Sequence, residues 1–124
     1  MASPKILIVE DDPLILTVSA ETIRDAGLDV IEAETADMAF VLFQEHANDI
    51  AVVFSDIETP GRLNGVALAA VIQEHRPGLP VVLTSGRGFA PSAPLPAATL
   101  FIAKPYRLGE VSALIVNLAR SHST

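Results

Sequence analysis

Short apolar runs alternate along this chain with longer stretches of mixed polarity. The first run, Ile6-Leu7-Ile8-Val9 within Lys5 to Glu10, is β-branched and too short for a helix, so it predicts a strand. Pro13 to Asp25 predicts a helix, with Asp12 as its N-cap, Pro13 in the first turn and Gly27 as its stop. Leu28 to Ala33 predicts a strand whose polar interruptions, Asp29 and Glu32, suit a sheet edge. Thr35 can cap a helix running to about His46, and Ile50 to Ser55 is a strand of the fully buried type. A third helix spans Gly65 to His75 and ends before Pro77, Val81-Val82-Leu83 is a fourth strand, and Leu100-Phe101-Ile102 a fifth. Leu108 to Ser121 carries Leu108, Val111, Leu114, Ile115 and Leu118 at helical spacing.

Five strands alternating with helices, several apolar on both faces, predict a parallel sheet covered on both sides. Right-handed crossovers then make a doubly wound α/β sandwich, with function at the carboxyl ends of the strands. One stretch resists the pattern. Gly86 to Ala98 holds Gly86, Gly88, Pro91, Pro94 and Pro96, which no regular helix interior accommodates, so the fourth of about five helices should be short or irregular.

Composition narrows the class. The 124 residues suit one domain, 1–124, burying roughly two-thirds of its unfolded surface. Half the chain is apolar, too much for disorder, and the absence of cysteine removes disulfides, zinc knuckles and thiol nucleophiles. A net charge of -7, from 15 acidic and 8 basic side chains, argues against direct nucleic-acid binding. No apolar run approaches the roughly 20 residues of a membrane span, and the N-terminus does not read as a secretory signal, so a cytoplasmic location is expected. The chain has no internal repeat or linker.

The acids are not spread evenly. Strand one ends in Glu10-Asp11-Asp12, strand three in Asp56, strand four in Thr84-Ser85 and strand five in Lys104-Pro105. In a parallel sheet all four converge on one edge. Crowded carboxylates repel unless a cation joins them, and magnesium accepts one or two carboxylates plus phosphate oxygens. Lys104 supplies a positive point charge for an anion and Thr84 a hydroxyl donor, a set suited to phosphoryl transfer. Asp56, alone after the central strand, is the best candidate for a carboxylate nucleophile. Asp11 would hold the metal directly and Glu10 through water.

At this point the chain resembles, over essentially its whole length, the receiver domain of two-component response regulators (the CheY-like superfamily). The matching residues are Glu10-Asp11-Asp12 after Ile-Leu-Ile-Val, Asp56 followed by Pro60, Asn64-Gly65, Thr84-Ser85 and Lys104-Pro105-Tyr106. The resemblance implies a flavodoxin-like five-stranded sheet of order 2-1-3-4-5. It implies that Asp56 is the phospho-acceptor, and that Asp11, Asp56 and the main-chain carbonyl of Glu58 bind magnesium, for which manganese can substitute. It further implies that Thr84 and Lys104 contact the phosphoryl group and that Phe101 stands at the aromatic switch position. Glu58 and Gly86 occupy family positions that tune hydrolysis. Glu10 and Asp11 align with the family's functional acid pair, leaving Asp12 as a helix cap. Thr59 stands where methionine is common, and Gly61-Arg62-Leu63 lengthens the loop by one residue, a variant similar to receivers of α-proteobacterial hybrid kinases.

The function expected is a phospho-acceptor switch, not a dedicated enzyme. A histidine kinase or histidine phosphotransfer protein would donate to Asp56, and a downstream protein would read the switch. With only Ser121 to Thr124 after the last helix, no effector domain is expected and output runs through protein contact, with a homodimer as a further option. Two other readings compete. Asp56-Ile57-Glu58-Thr59 resembles the Asp-x-Asp-x-Thr signature of haloacid-dehalogenase-type phosphatases, although that motif follows a first strand and its second acid is aspartate. A non-phosphorylated interaction module is the other. Arg87 and the histidines His46, His75 and His122 read as solvated surface residues.

Overall fold

The computed structural model describes residues 4–86 and 94–121. Strands β1 (Lys5–Val9), β2 (Asp29–Ala33), β3 (Ile50–Asp56), β4 (Val81–Ser85) and β5 (Thr99–Ala103) alternate with helices α1 (Pro13–Asp25), α2 (Ala36–His46) and α3 (Gly65–His75). Helix α4 (Leu108–Ser121) closes the order. The strands form one parallel sheet in the order β2-β1-β3-β4-β5. This is the doubly wound, flavodoxin-like arrangement expected.

Strand alternation sorts the core into two layers. Leu7, Val9, Val53, Val81 and Leu83 pack on one face with Phe43 of α2 and Leu68 and Ile72 of α3. Ile6, Ile8, Val52, Phe54 and Val82 pack on the other with Ala20 and Ile23 of α1 and Ile115 of α4. A register shift between Lys5 and Ile6, where Lys5 pairs with Ile50 and Ile6 with Val52, puts Ile50 on the same face as Val53. All seven residues of β3 are buried, so the central strand carries Asp56 to the sheet edge on a fully supported backbone.

The helix starts follow from their caps. Asp12 Oδ1 accepts from Leu14 N at 2.9 Å and Ile15 N at 3.3 Å. Thr35 Oγ1 accepts from Met38 N at 3.1 Å, and Asn64 Oδ1 from Ala67 N at 2.8 Å. Each such cap contributes about 1 kcal/mol. Gly27, at φ +95°, ends α1 in the left-handed region.

The described residues contain four helices where about five are expected, and the short or irregular one expected within Gly86 to Ala98 falls largely on residues outside them. Pro94 to Ala98 runs from the prolines into β5 without a helix, because proline removes the amide donors a helix requires. Arg87, Gly88, Pro91 and His122 lie outside the described residues. The buried stripe of α4 is also rotated from the apolar spacing. Val111, Ser112, Ile115 and Ala119 are buried, while Leu108, Leu114 and Leu118 flank them half-buried. Among the described residues no helix is long and apolar enough to cross a membrane.

Phe43 is wholly buried at the centre of its layer, whereas Met38 on the same helix is 46% exposed. Phe43→Ala should lower unfolding free energy in urea by about 3–5 kcal/mol. Met38→Ala should stay within about 0.5 kcal/mol of the wild type.

Candidate functional site

The parallel sheet delivers its strand ends to one edge. Glu10 and Asp56 leave β1 and β3 side by side, and Asp56 pairs in register with Thr84 of β4. Carboxylate oxygens of Glu10, Asp11 and Asp56 all lie within 4.8 Å of one another. Glu10 and Asp56 are buried and Asp11 is exposed. Lys104, just beyond β5, reaches into the group. Its Nζ lies 3.1 Å from Asp56 Oδ2 and 3.5 Å from Glu10 Oε1. The lysine is itself anchored through its main chain, Lys104 N donating to Ser85 O at 3.0 Å. The peptide between Lys104 and Pro105 is cis.

Burial shapes the charge states. Burial pushes the Glu10 carboxyl up from 4.5 to about 7. The Asp12 backbone N–H and Lys104 pull it down, while the Asp56 charge and a hydrogen bond with Asp11 push it further up. Burial alone would lower the Lys104 ammonium, but its hydrogen bond and attraction to Asp56, with Glu10 adding to both, hold it above 10.5. Burial likewise raises the Tyr106 phenol, whose ring stands edge-on to Phe54 at 6.0 Å.

Among the described residues, three buried polar atoms at this edge have no hydrogen-bond partner: Asp56 Oδ1, Thr84 Oγ1 and Glu58 Oε2. Such orphans are uncommon, because each costs about 1–3 kcal/mol. Free hard oxygens beside three carboxylates fit a hard divalent cation, and a free hydroxyl beside Lys104 fits an anion. The residues present therefore suit magnesium and a phosphoryl group.

Other site residues take definite places. Glu58 lies half-buried in the loop after β3, and its Oε1 accepts from Ser85 Oγ at 2.5 Å, a link the sequence reading missed. Asp12 caps α1 and donates its backbone N–H to Glu10 Oε2 at 3.2 Å. Gly86 is exposed, and a Cβ there would meet the Lys104 Cδ at 3.4 Å. Gly65 is required by close approach: a Cβ would lie 2.6 Å from the Asp56 carbonyl oxygen. Phe101 is half-buried on β5, paired with Leu83 and packed on the α2–α3 face. Thr59, third after Asp56, stands one position short of the threonine in the phosphatase signature, where Pro60 lies, and spends its hydroxyl elsewhere. Its Oγ1 accepts from Ala36 N at 3.2 Å and donates to Leu63 O at 3.3 Å.

With this geometry in hand, comparison with known proteins is direct. The chain belongs to the response regulator receiver domain family, whose model matches residues 6–116. It is therefore a receiver domain of two-component signalling. It is 37% identical over 105 residues to the nitrogen assimilation regulatory protein NtrX of Azorhizobium caulinodans, covering 82% of this chain and 23% of that protein. It is 31% identical over 122 residues to the transcriptional regulatory protein PhoP of Escherichia coli (strain K12), covering 96% and 53%. The chain thus spans about a quarter to about half of these curated relatives. The receiver domain of NtrX from Brucella abortus superimposes with a TM-score of 0.76 at 31% identity, covering 95% of this chain and 99% of that one. A response regulator receiver protein from Sinorhizobium medicae WSM419 shares the fold, with a TM-score of 0.84 at 24% identity over 98% of each chain.

The raised Glu10 value gives a signed pH dependence. Between 4.5 and about 7 the folded protein binds more protons at Glu10 than the unfolded chain does. The stabilisation is full below 4.5 and is lost as pH rises through about 7. The Lys104 contribution is lost only above 10.5, outside this window. In EDTA, thermal melts from pH 5 to pH 8 should therefore show the wild type losing more stability than Glu10→Gln. Parallel pH profiles for the two proteins would refute this account.

Proposed function

We propose that this receiver domain accepts a phosphoryl group from a phosphohistidine onto Asp56, and that the new charge switches its surface for a downstream protein. The observation that carries the reading is the division of labour on Asp56. Its Oδ2 is bound by Lys104 at 3.1 Å, while its buried Oδ1 has no partner. A carboxylate with one committed and one free oxygen is positioned and still able to react.

The chemistry needs little from the protein beyond placement and charge. A carboxylate oxygen of Asp56 attacks phosphorus in line, forming the O–P bond. The P–N bond of the phosphohistidine breaks, and the imidazole nitrogen keeps the electron pair and takes a proton. The Lys104 ammonium neutralises charge on the phosphoryl oxygens, and the unpartnered Thr84 hydroxyl donates to one of them. Hydrolysis later returns the Asp56 carboxylate and inorganic phosphate. Asp11, Asp56 and the Glu58 main-chain carbonyl would hold magnesium or manganese, with Glu10 acting through water. The cation, when bound, offsets the charge of the carboxylates and of the transferring group. Thr84, drawn toward the phosphoryl oxygen, would pass the change to β5 and Phe101 on the neighbouring strand.

The partner surface follows from position. An apolar groove of about 590 Å³ opens beside the site and shares Lys104 and Gly86 with it. Leu14, Ile15 and Val18 of α1 form one wall, and Leu14 is 71% exposed. A donor that reaches Asp56 in line must touch this rim, so the groove suits the apolar flank of a helix bearing the phosphohistidine.

Acetyl phosphate with magnesium should label the wild type, and Asp56→Asn should abolish the label; equal labelling of both would sink the proposal. Leu14→Ser should cut phosphotransfer from a histidine phosphotransfer protein about tenfold or more. Labelling by acetyl phosphate should be unchanged in that variant, because the small donor needs no groove.

A further inference from the structure

Most groups at the site hang from strand ends whose directions the sheet sets. Glu58 does not. It belongs to the loop of residues 57–64 between β3 and α3. That loop is tied at its two ends. Ile57 N donates to Thr84 O at 2.8 Å, and Gly65 N donates to Ile57 O at 2.9 Å. Its far side is tied to a different element, the first turn of α2.

One tie is the Thr59 hydroxyl, which accepts from Ala36 N at 3.2 Å, and the other is a carboxylate that binds two amides. Arg62 N donates to Asp37 Oδ2 at 2.8 Å, and Leu63 N donates to Asp37 Oδ1 at 2.9 Å. Both oxygens of Asp37 are used on successive main-chain amides, which makes the pair charge-assisted. Thr35 already caps α2, so Asp37 is not needed there. Gly61 completes the fit on two counts. Its φ is +113°, and a Cβ would lie 2.3 Å from Asp37 Oδ2.

We propose that Asp37 is a positioning residue for the cation at the phospho-acceptor site. By clamping Arg62 and Leu63 it holds the loop in the course from which Glu58 presents its main-chain carbonyl. Ser85 holds the Glu58 side chain from the opposite side, so the residue is strung between α2 and the end of β4. Without the clamp, cation binding must order the loop as well as fill the site, and affinity falls. This rests on the proposed function in taking magnesium as the cation and the Glu58 main-chain carbonyl as one of its ligands.

The test is calorimetric titration of magnesium chloride into the wild type and the variants Asp37→Ala, Asp37→Asn, Gly61→Ala and Asp37→Ala/Gly61→Ala, each with its thermal melt. Asp37→Ala and Gly61→Ala should each weaken binding about tenfold. Asp37→Asn keeps one acceptor oxygen and should fall between them and the wild type. The double variant should bind no worse than the weaker single one, because both changes open the same clamp. Variants that melt earlier yet keep magnesium affinity within about twofold would overturn the proposal, reducing Asp37 to a stability role. Asp56→Asn separates the two levels. If it weakens binding and Asp37→Ala does not, the clamp fails alone. If the wild type binds no magnesium, the cation reading fails and takes the clamp with it.

Discussion

Lys104 and its two acids set the terms on which this sheet edge exists. Two buried carboxylates, Glu10 and Asp56, share one ammonium at 3.5 and 3.1 Å. A unit-charge pair about 4 Å apart is worth about 4 kcal/mol at an effective dielectric of 20, so one lysine cannot balance both neighbours and Asp11 as well. Three carboxylates and one ammonium leave two negative charges when all are ionised. A divalent cation matches those two charges, and without one the raised Glu10 value, about 7, relieves part of the excess at acid pH. The unpaired Oδ1 of Asp56 points the same way, since a buried oxygen left open inside an otherwise well-bonded strand end has a cost that a ligand removes.

Such an arrangement needs a scaffold that does not depend on it. The two apolar layers supply that. β3 is buried along its whole length and β4 likewise, so the backbone that carries Asp56 and Thr84 is held by packing on both faces. Because all the strands run one way, their ends place acid, hydroxyl and amine together without any long loop. Stability thus resides in the layers, and chemistry at the edge.

The sequence was most legible where local rules and the final fold agree. Asp12 and Thr35 cap the first two helices as their residue types predict, and the buried strands declare themselves as β-branched runs. The grouping of Glu10, Asp11, Asp56 and Lys104 could be read because parallel topology turns strand ends into neighbours. What could not be read depends on contacts between distant loops. Nothing near Asp37 announces that its oxygens bind Arg62 and Leu63, and nothing near Glu58 announces Ser85. On α4 the small side chains Ser112 and Ala119 are buried with Val111 and Ile115, while Leu108, Leu114 and Leu118 stay half-buried. Pro94 and Pro96 showed only that a helix would fail there, and the chain enters β5 without one.

On the proposed function, the orphan hydroxyl of Thr84 would link the resting structure to switching. It is 2% exposed and has no hydrogen-bond partner, so the unmodified protein carries a penalty of about 1–3 kcal/mol at β4. On the phospho-acceptor reading, an added phosphoryl oxygen would give this hydroxyl its acceptor and remove the penalty. That sum is the same size as the coupling free energies by which sites in switching proteins usually communicate, about 1–3 kcal/mol. A hydroxyl already satisfied in the resting state would have no such reserve. The energy for the switch therefore need not come from the phosphoryl charge alone. On that reading part of it would be stored beforehand, in a polar group that folding buried without a partner one strand from Phe101.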